Sequence, residues 1–280
     1  MMDAFAPQTP HTAENLAARL KGRSAAGAAV DERPESAIGH VASHVRFWLP
    51  AAALLWLDLW SKSWVFANIP TDHGQIIIPG FLEFRRSLND GAVFGSFTGY
   101  VGVFIVASLF ALGFVFYLFA NSTRRQRSLH IALALILAGA IGNLYDRAFI
   151  KADVVRFRDD TKPRGSVIGT LAGEPTQDKI RLGDWPDGAN ARTFAVSEVA
   201  LHRQGVVRDF IKFTPKFPRS WFRVGGFDMW PWIFNMADAA LVCGVGLLLL
   251  NCFFDRKPRV STVIRPDQDG RVHALERWGE

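Results

Sequence analysis

The sequence predicts a polytopic membrane protein with an all-α core of four transmembrane helices, carrying a small β-sheet and extended loops on its outer face. Two observations predict it. Of the 280 residues, 49% are hydrophobic and 21% charged, and the apolar residues come in blocks. Four blocks reach or approach the roughly 20 residues that a helix needs to cross a bilayer: Phe47 to Ile69, Val101 to Ala120, Leu129 to about Tyr145, and Ile233 to Phe254. Between the blocks, two short stretches alternate apolar and polar residues between turn residues, which is a strand signature.

Residues 1–44 are rich in Ala, Gly, Pro and charge and too polar to bury a core, so they read as a disordered cytoplasmic tail. Ala13–Lys21 could form a short amphipathic helix. No apolar signal segment opens the chain, so the first span must itself direct insertion. That span carries Asp58 and Lys62, four apart with the acid first, the favourable order for a helical ion pair. The pair either neutralises itself or braces something in a polar cavity. Ile76–Arg86 then reads as one or two strands, and Asn89-Asp90-Gly91 is a turn.

Asn121–Arg127, between the second and third spans, holds three arginines, which places it in the cytoplasm by the positive-inside rule. Both termini then lie on the cytoplasmic side, with 256–280 as a C-terminal tail, and segments 70–98 and 149–231 lie outside. Segment 149–204 shows clusters of Gly, Pro and Asp and no long periodic run, although Thr193–Ala200 could be a strand or a short helix. Gly205–Phe213 alternates as a strand, and Asp209 is its one acid.

Cys243 and Cys252 lie within the last span on different helical faces, which argues for packing and against a disulfide or a metal site. The net charge of +6 is spread over flanks and loops with no basic stripe interleaved with aromatics, which excludes nucleic-acid binding and fits contact with membrane lipids.

Three polar clusters converge by topology near the outer boundary: 143–147, 205–211 and 235–238. Asn143 and Asp146 are three apart, and so are Asn235 and Asp238, so each pair shares a helical face. An ionisable group in hydrocarbon is expensive and usually marks function. Two neighbouring carboxylates in low dielectric cannot both ionise, so one holds a proton while the other remains a base. Peptide hydrolysis without a metal needs that arrangement. The seven histidines are scattered, and no Ser-His or Cys-His arrangement competes. Two other readings stay open from the residues: an ion path through a transporter or scaffold, and a metal-dependent lipid phosphotransferase, since Asp and Asn oxygens suit hard cations.

The set Asp58 and Lys62, Asn89–Gly95, Gly142-Asn143-Leu144-Tyr145-Asp146-Arg147, Val206-Val207-Arg208-Asp209-Phe210 and Phe234-Asn235-Met236-Ala237-Asp238 resembles lipoprotein signal peptidase, also called signal peptidase II. Each motif is weak alone; five in order are specific. The resemblance covers about 47–253. It implies a membrane aspartyl endopeptidase of the bacterial inner membrane, built from four transmembrane helices with a small periplasmic sheet and a helical lid. It implies removal of the signal peptide from diacylglyceryl-modified prolipoproteins without a metal or other cofactor; a monomer is expected. Asp209 and Asp238 would be the catalytic pair, with Asn89, Gly91, Asn143, Asp146, Arg147, Asn235 and Ala237 supporting the site and Asp58 and Lys62 bracing the first span. The chain departs from the family in the long interval before Asp209. Within it Lys151-Ala152-Asp153-Val154-Val155-Arg156-Phe157 offers Asp153 as a rival first acid, though only Asp209 follows its valines in the family's order.

Overall fold

A computed structural model of the chain describes residues 35–91, 101–158, 166–254, 261–266 and 272–277. Four helices, α1 (Val41–Asn68), α2 (Val101–Ala120), α3 (Arg127–Phe149) and α4 (Met236–Phe254), pack beside two antiparallel sheets. The helix proposed over Ala13–Lys21, most of the tail, and residues 92–95 of the Asn-Asp-Gly turn motif fall outside the described residues.

Helix α3 is the hub. In its most apolar window 61% of the residues are buried, against 11% for α2 and 17% for α4, so α3 is wrapped by protein while its neighbours face outward. Leu133 and Leu137 of α3 pack with Phe47 and Ala51 of α1 and Val115 and Phe119 of α2, and the Phe47 and Phe119 rings stack at 4.4 Å. Between apolar helices in lipid, close packing drives association, and small residues allow it. A methyl group at Gly139 would strike the Ala237 carbonyl and come within 2.6 Å of Leu241 Cγ; one at Gly142 would strike Asp58 Oδ2. Bare glycines at these two positions let α3 lie directly against α1 and α4.

The expected all-α core is overturned. Nine strands form two sheets, one four-stranded and one five-stranded. Three of the helices, not four, are long and apolar enough to cross a membrane among the described residues: α2, α3 and α4. Helix α1 is the longest at 28 residues, but its middle holds the buried pair Asp58 and Lys62 and its surface shows Trp48, Trp56, Trp60 and Trp64, side chains that lower its hydropathy.

The smaller sheet has the order β1 (Gln75–Ile78), β2 (Leu82–Asn89), β8 (Val207–Phe213), β9 (Ile233–Phe234). Its register places Ser87 opposite Asp209 and Asn89 opposite Val207. Strands alternate faces with period two, so Ser87, Asn89 and Asp209 share one face.

Segment 149–204, expected as an extended loop, is mostly the larger sheet. Its order is β6 (Ala189–Ala195), β5 (Lys179–Asp184), β4 (Ser166–Leu171), β3 (Lys151–Phe157), β7 (Val199–Gly205). Val155, Ile180, Leu182 and Val199 give it a core of its own. The outgoing β3 and returning β7 pair along their whole length, from Lys151 with Gly205 to Phe157 with Val199. At the base of this pair Val206 N–H donates to the Ile150 carbonyl at 3.0 Å. The long excursion therefore leaves and returns at one point, and in space β8 follows α3 as closely as it would after a short connection. Past α4, β10 (Ser261–Pro266) and β11 (Val272–Arg277) form a two-stranded hairpin within the stretch expected as a tail.

Candidate active site

Five elements bring polar side chains to one place: the C-terminal halves of α1 and α3, the N-terminus of α4, β8 and the end of β2. Asp238 enters from the first turn of α4. Asn235 stands at the N-cap position, where its Oδ1 accepts Asp238 N–H at 3.0 Å while Asp238 Oδ2 accepts Asn235 N–H at 3.2 Å. This reciprocal cap satisfies two backbone donors that a helix N-terminus leaves open. A third, Ala237 N–H, donates to Asp58 Oδ1 at 2.9 Å. The two acids of α1 and α4 thus hold the start of α4, and the helix dipole favours negative charge there.

Asn143 of α3 donates to Asp238 Oδ1 at 2.8 Å, and its own Oδ1 accepts from Asn235 Nδ2 at 3.2 Å and Lys62 Nζ at 3.3 Å. Asn235 Nδ2 also donates to Asp209 Oδ1 at 2.6 Å, and Asn89 Nδ2 donates to Asp209 Oδ2 at 3.1 Å. Asn235 is therefore bonded to both Asp209 and Asp238.

Behind these acids lies an ion network. Lys62, fully buried, reaches Asp58 at 2.8 Å and Asp146 at 3.4 Å. Asp146 in turn takes three nitrogens of Arg208: the backbone N–H at 3.0 Å, Nη2 at 2.8 Å and Nε at 3.3 Å. Buried charges persist when paired and hydrogen-bonded, and this network anchors β8 to α3 one residue before Asp209. Asn143 and Asp146, expected to act as one pair, divide the work: Asn143 holds Asp238 and Asp146 holds Arg208. Arg147 lies over the Phe104 ring at 4.9 Å and feels the charges of Asp238, Asp209 and Asp146.

Asp209 sits just outside the helices on β8 and is 3% exposed. Burial pushes its carboxyl up to about 8, the charge of Asp238 pushes the same way, and the amides of Asn235 and Asn89 and the charge of Lys62 only partly oppose them. Counting charges gives the same answer. Asp58, Asp146, Asp209 and Asp238 face Lys62, Arg208 and Arg147, so the cluster is neutral when one carboxyl holds a proton.

Of the remaining candidates, Ala237 is buried with its Cβ 3.2 Å from the methyl that Gly142 lacks. Gly91 ends the described turn at φ +117°, and its N–H donates to Asn89 Oδ1 at 3.1 Å. Asp153 lies on the five-stranded sheet, where it accepts Leu171 N–H at 3.0 Å and pairs with Arg203 at 3.7 Å; the contacts described for it do not include Asp238. Arg208 was not singled out from the sequence. A lone cation between valines and an acid was its available signal.

The family model for Signal peptidase (SPase) II matches residues 50–254. The lipoprotein signal peptidase of Desulfitobacterium hafniense (strain DSM 10664 / DCB-2) is 25% identical over 213 residues, 76% of this chain and 96% of its own length. That of Latilactobacillus sakei is 35% identical over 97 residues, 35% of this chain and 64% of that protein, a little under two thirds of it. That of a Synechococcus strain is 38% identical over 105 residues, 36% and 70% of the two chains. A bacterial membrane enzyme solved by the in meso method aligns with a TM-score of 0.49 at 20% identity, over 79% of this chain and 97% of that one.

Proposed function

We propose that this chain, which belongs to the signal peptidase II family, is a membrane protease that removes signal peptides from diacylglyceryl-modified prolipoproteins by an aspartyl mechanism. Asp238 is the general base and Asp209 the general acid. The observation that carries this assignment is that Asn235 bonds to both carboxyls while burial and the neighbouring Asp238 charge drive Asp209 toward its neutral form. Asp238 accepts from Asn143 and Asn235 at a helix N-terminus, an environment that favours the carboxylate.

In the reaction Asp238 takes a proton from water as the water oxygen bonds to the scissile carbonyl carbon, while Asp209 donates its proton to the carbonyl oxygen. When the tetrahedral intermediate collapses, the C–N bond breaks. Asp238 gives its proton to the leaving amine, and Asp209 recovers its own from the hydroxyl that becomes the new carboxyl's carbonyl. The two acids end as they began, ready for another turnover.

The site lies at the outer face of the inner membrane in this reading. The basic loop Asn121–Arg127 joins α2 to α3 at the opposite end of α3 from Asn143 and Asp146, and such loops stay in the cytoplasm. At the site's end of α1 the exposed Trp56, Trp60 and Trp64 stack in a row at 5.9 and 6.5 Å, the kind of side chain that gathers at the membrane boundary.

The test is cleavage of a diacylglyceryl-modified prolipoprotein by the purified protein. Asp209→Asn and Asp238→Asn are each expected to insert normally and to process none of it. Full processing by either variant would overturn the assignment. Activity should also fall as pH rises through about 8, where Asp209 gives up the proton it must donate.

A further inference from the structure

The five-stranded insertion touches the site through one contact that the reaction scheme above does not use. Asp90 is 4% exposed, and its Oδ2 accepts from Arg156 Nη2 at 3.3 Å and from Gln204 Nε2 at 3.4 Å. Arg156 Nη2 also donates to Gln204 Oε1 at 3.2 Å, so the three side chains close a ring. Both partners belong to the insertion. In the β3 and β7 register Arg156 stands opposite Ala200 and Gln204 opposite Ala152, which places them on one face of that sheet.

We propose that Arg156 and Gln204 are positioning residues for the proteolytic site, clamping Asp90 and thereby holding Asn89 against Asp209. Asn89 forms the last register pair of β2 with β8. Beyond it the chain turns at Gly91, at a φ of +117° that side chains other than glycine rarely adopt, and the sheet no longer fixes the backbone. Adjacent residues there reach in two directions, Asn89 to the Asp209 carboxyl and Asp90 to the insertion. A buried acid stripped of its cation is strongly disfavoured, so Asp90 stays with Arg156 and Asn89 cannot drift.

The insertion can act as a fixed reference because it is docked a second time. Trp185, at the end of β5, meets the edge of the Phe66 ring of α1 at 6.0 Å, accepts from Arg86 through its carbonyl, and donates from Nε1 to the Lys151 carbonyl at 3.0 Å. Ala152, Val154 and Val206 pack with Leu88 of β2 between the two attachment points.

This inference rests on the aspartyl reading above, and the experiment separates the two. Steady-state cleavage of a lipid-modified prolipoprotein is measured against pH for wild type, Arg156→Ala, Arg156→Lys, Asp90→Asn and Arg203→Ala. Around Asp209 stand Asp238 from α4, Lys62 from α1, Arg147 from α3, and the amides of Asn89 and Asn235. Loosening Asn89 removes a donor that favours the Asp209 carboxylate, so the alkaline limb should move to higher pH. A misplaced proton donor also costs rate, so kcat should fall about tenfold in Arg156→Ala and Asp90→Asn with KM changed less than about twofold. Arg156→Lys should recover part of both, and Arg203→Ala should match wild type. Loss of folded protein alone would lower the amplitude and leave the limb in place. Wild-type kcat and limb in both Arg156→Ala and Asp90→Asn overturn the clamp. Where Arg156→Ala does not accumulate, Asp90→Asn and Arg156→Lys decide alone. An inactive wild type overturns the aspartyl reading instead.

Discussion

Two strands of this protein carry nearly the same letters and do different things. Strand β3 reads Lys-Ala-Asp153-Val-Val-Arg-Phe, and β8 with the residue before it reads Val-Val-Arg-Asp209-Phe-Ile. Both acids are buried, at 4% and 3% exposure. Asp153 has a cation in Arg203 and a backbone N–H from Leu171. Asp209 has two amides and no ion pair among the described residues, while the neighbouring cation Arg208 is committed to Asp146. The comparison teaches that two buried acids in similar strands can be given opposite surroundings. Asp153 keeps a cation beside it, whereas Asp209 has a second carboxylate.

The sharpest way to break the comparison is to neutralise each acid in turn. Asp209→Asn is expected to lower kcat by about 10³-fold or more, since general acid catalysis is worth 10²–10⁴. Asp153→Asn should leave kcat near wild type. Prolipoprotein processing by the two variants side by side checks this, and a reversed order would transfer the role to Asp153.

The cations differ as much as the acids do. Arg208→Met would leave Asp146 buried with Lys62 alone at 3.4 Å. Removing one partner of a buried pair costs about 3–5 kcal/mol, so a loss of that size is expected in the unfolding free energy of the detergent-solubilised protein, read from its denaturation curve. Arg203→Ala removes a cation whose side chain is 71% exposed at 3.7 Å from its acid, and a pair that open is worth about 0–1 kcal/mol.

The pH dependence of stability tests the surroundings of Asp209 directly. The folded Asp209 carboxyl stands near 8, above its ordinary value of 3.8, so between those pH values the folded protein binds more protons than the unfolded chain. Its stability must fall as pH rises through that window and level off beyond about 8. Asp209→Asn carries no such proton. The variant should therefore be more stable than wild type by about 1–3 kcal/mol at pH 9, with the difference vanishing near pH 4. Thermal melts at the two pH values check the sign.

Much of the site was legible in the sequence because its residues sit at helical spacings in places where charge is expensive. Asn235 and Asp238, Asn143 and Asp146, and Asp58 and Lys62 each announce a shared face. What the spacings could not show was who bonds to whom. Asp58 caps the start of α4 through a backbone N–H, and Arg208 belongs to Asp146, 62 residues away along the chain; neither contact leaves a periodic trace. The fold was read less well. The strands of the insertion are six or seven residues long, and β6 has no buried position, so their alternation is too brief and too exposed to rise above turn residues. What builds the larger sheet is long-range pairing, above all the closure of β3 on β7 across more than forty residues.

Asn235 has a small expected effect on stability and the most direct bearing on the comparison, because it supplies Asp209 with a donor where Asp153 has a cation. Its side chain does two separable jobs: Oδ1 caps α4 through Asp238 N–H, and Nδ2 bonds to Asp209 and Asn143. Asn235→Asp keeps the cap oxygen and loses the donors, whereas Asn235→Ala loses both. Loss of an N-cap costs about 1 kcal/mol, so Asn235→Ala should fall below wild type in stability by about that amount. Asn235→Asp places a third carboxyl beside Asp209 and Asp238, which raises the proton affinity of the group. At matched cleavage conditions the alkaline limb of Asn235→Ala should lie above that of wild type and the limb of Asn235→Asp higher still, and a wild-type limb in Asn235→Ala would mean that the amide does not tune Asp209.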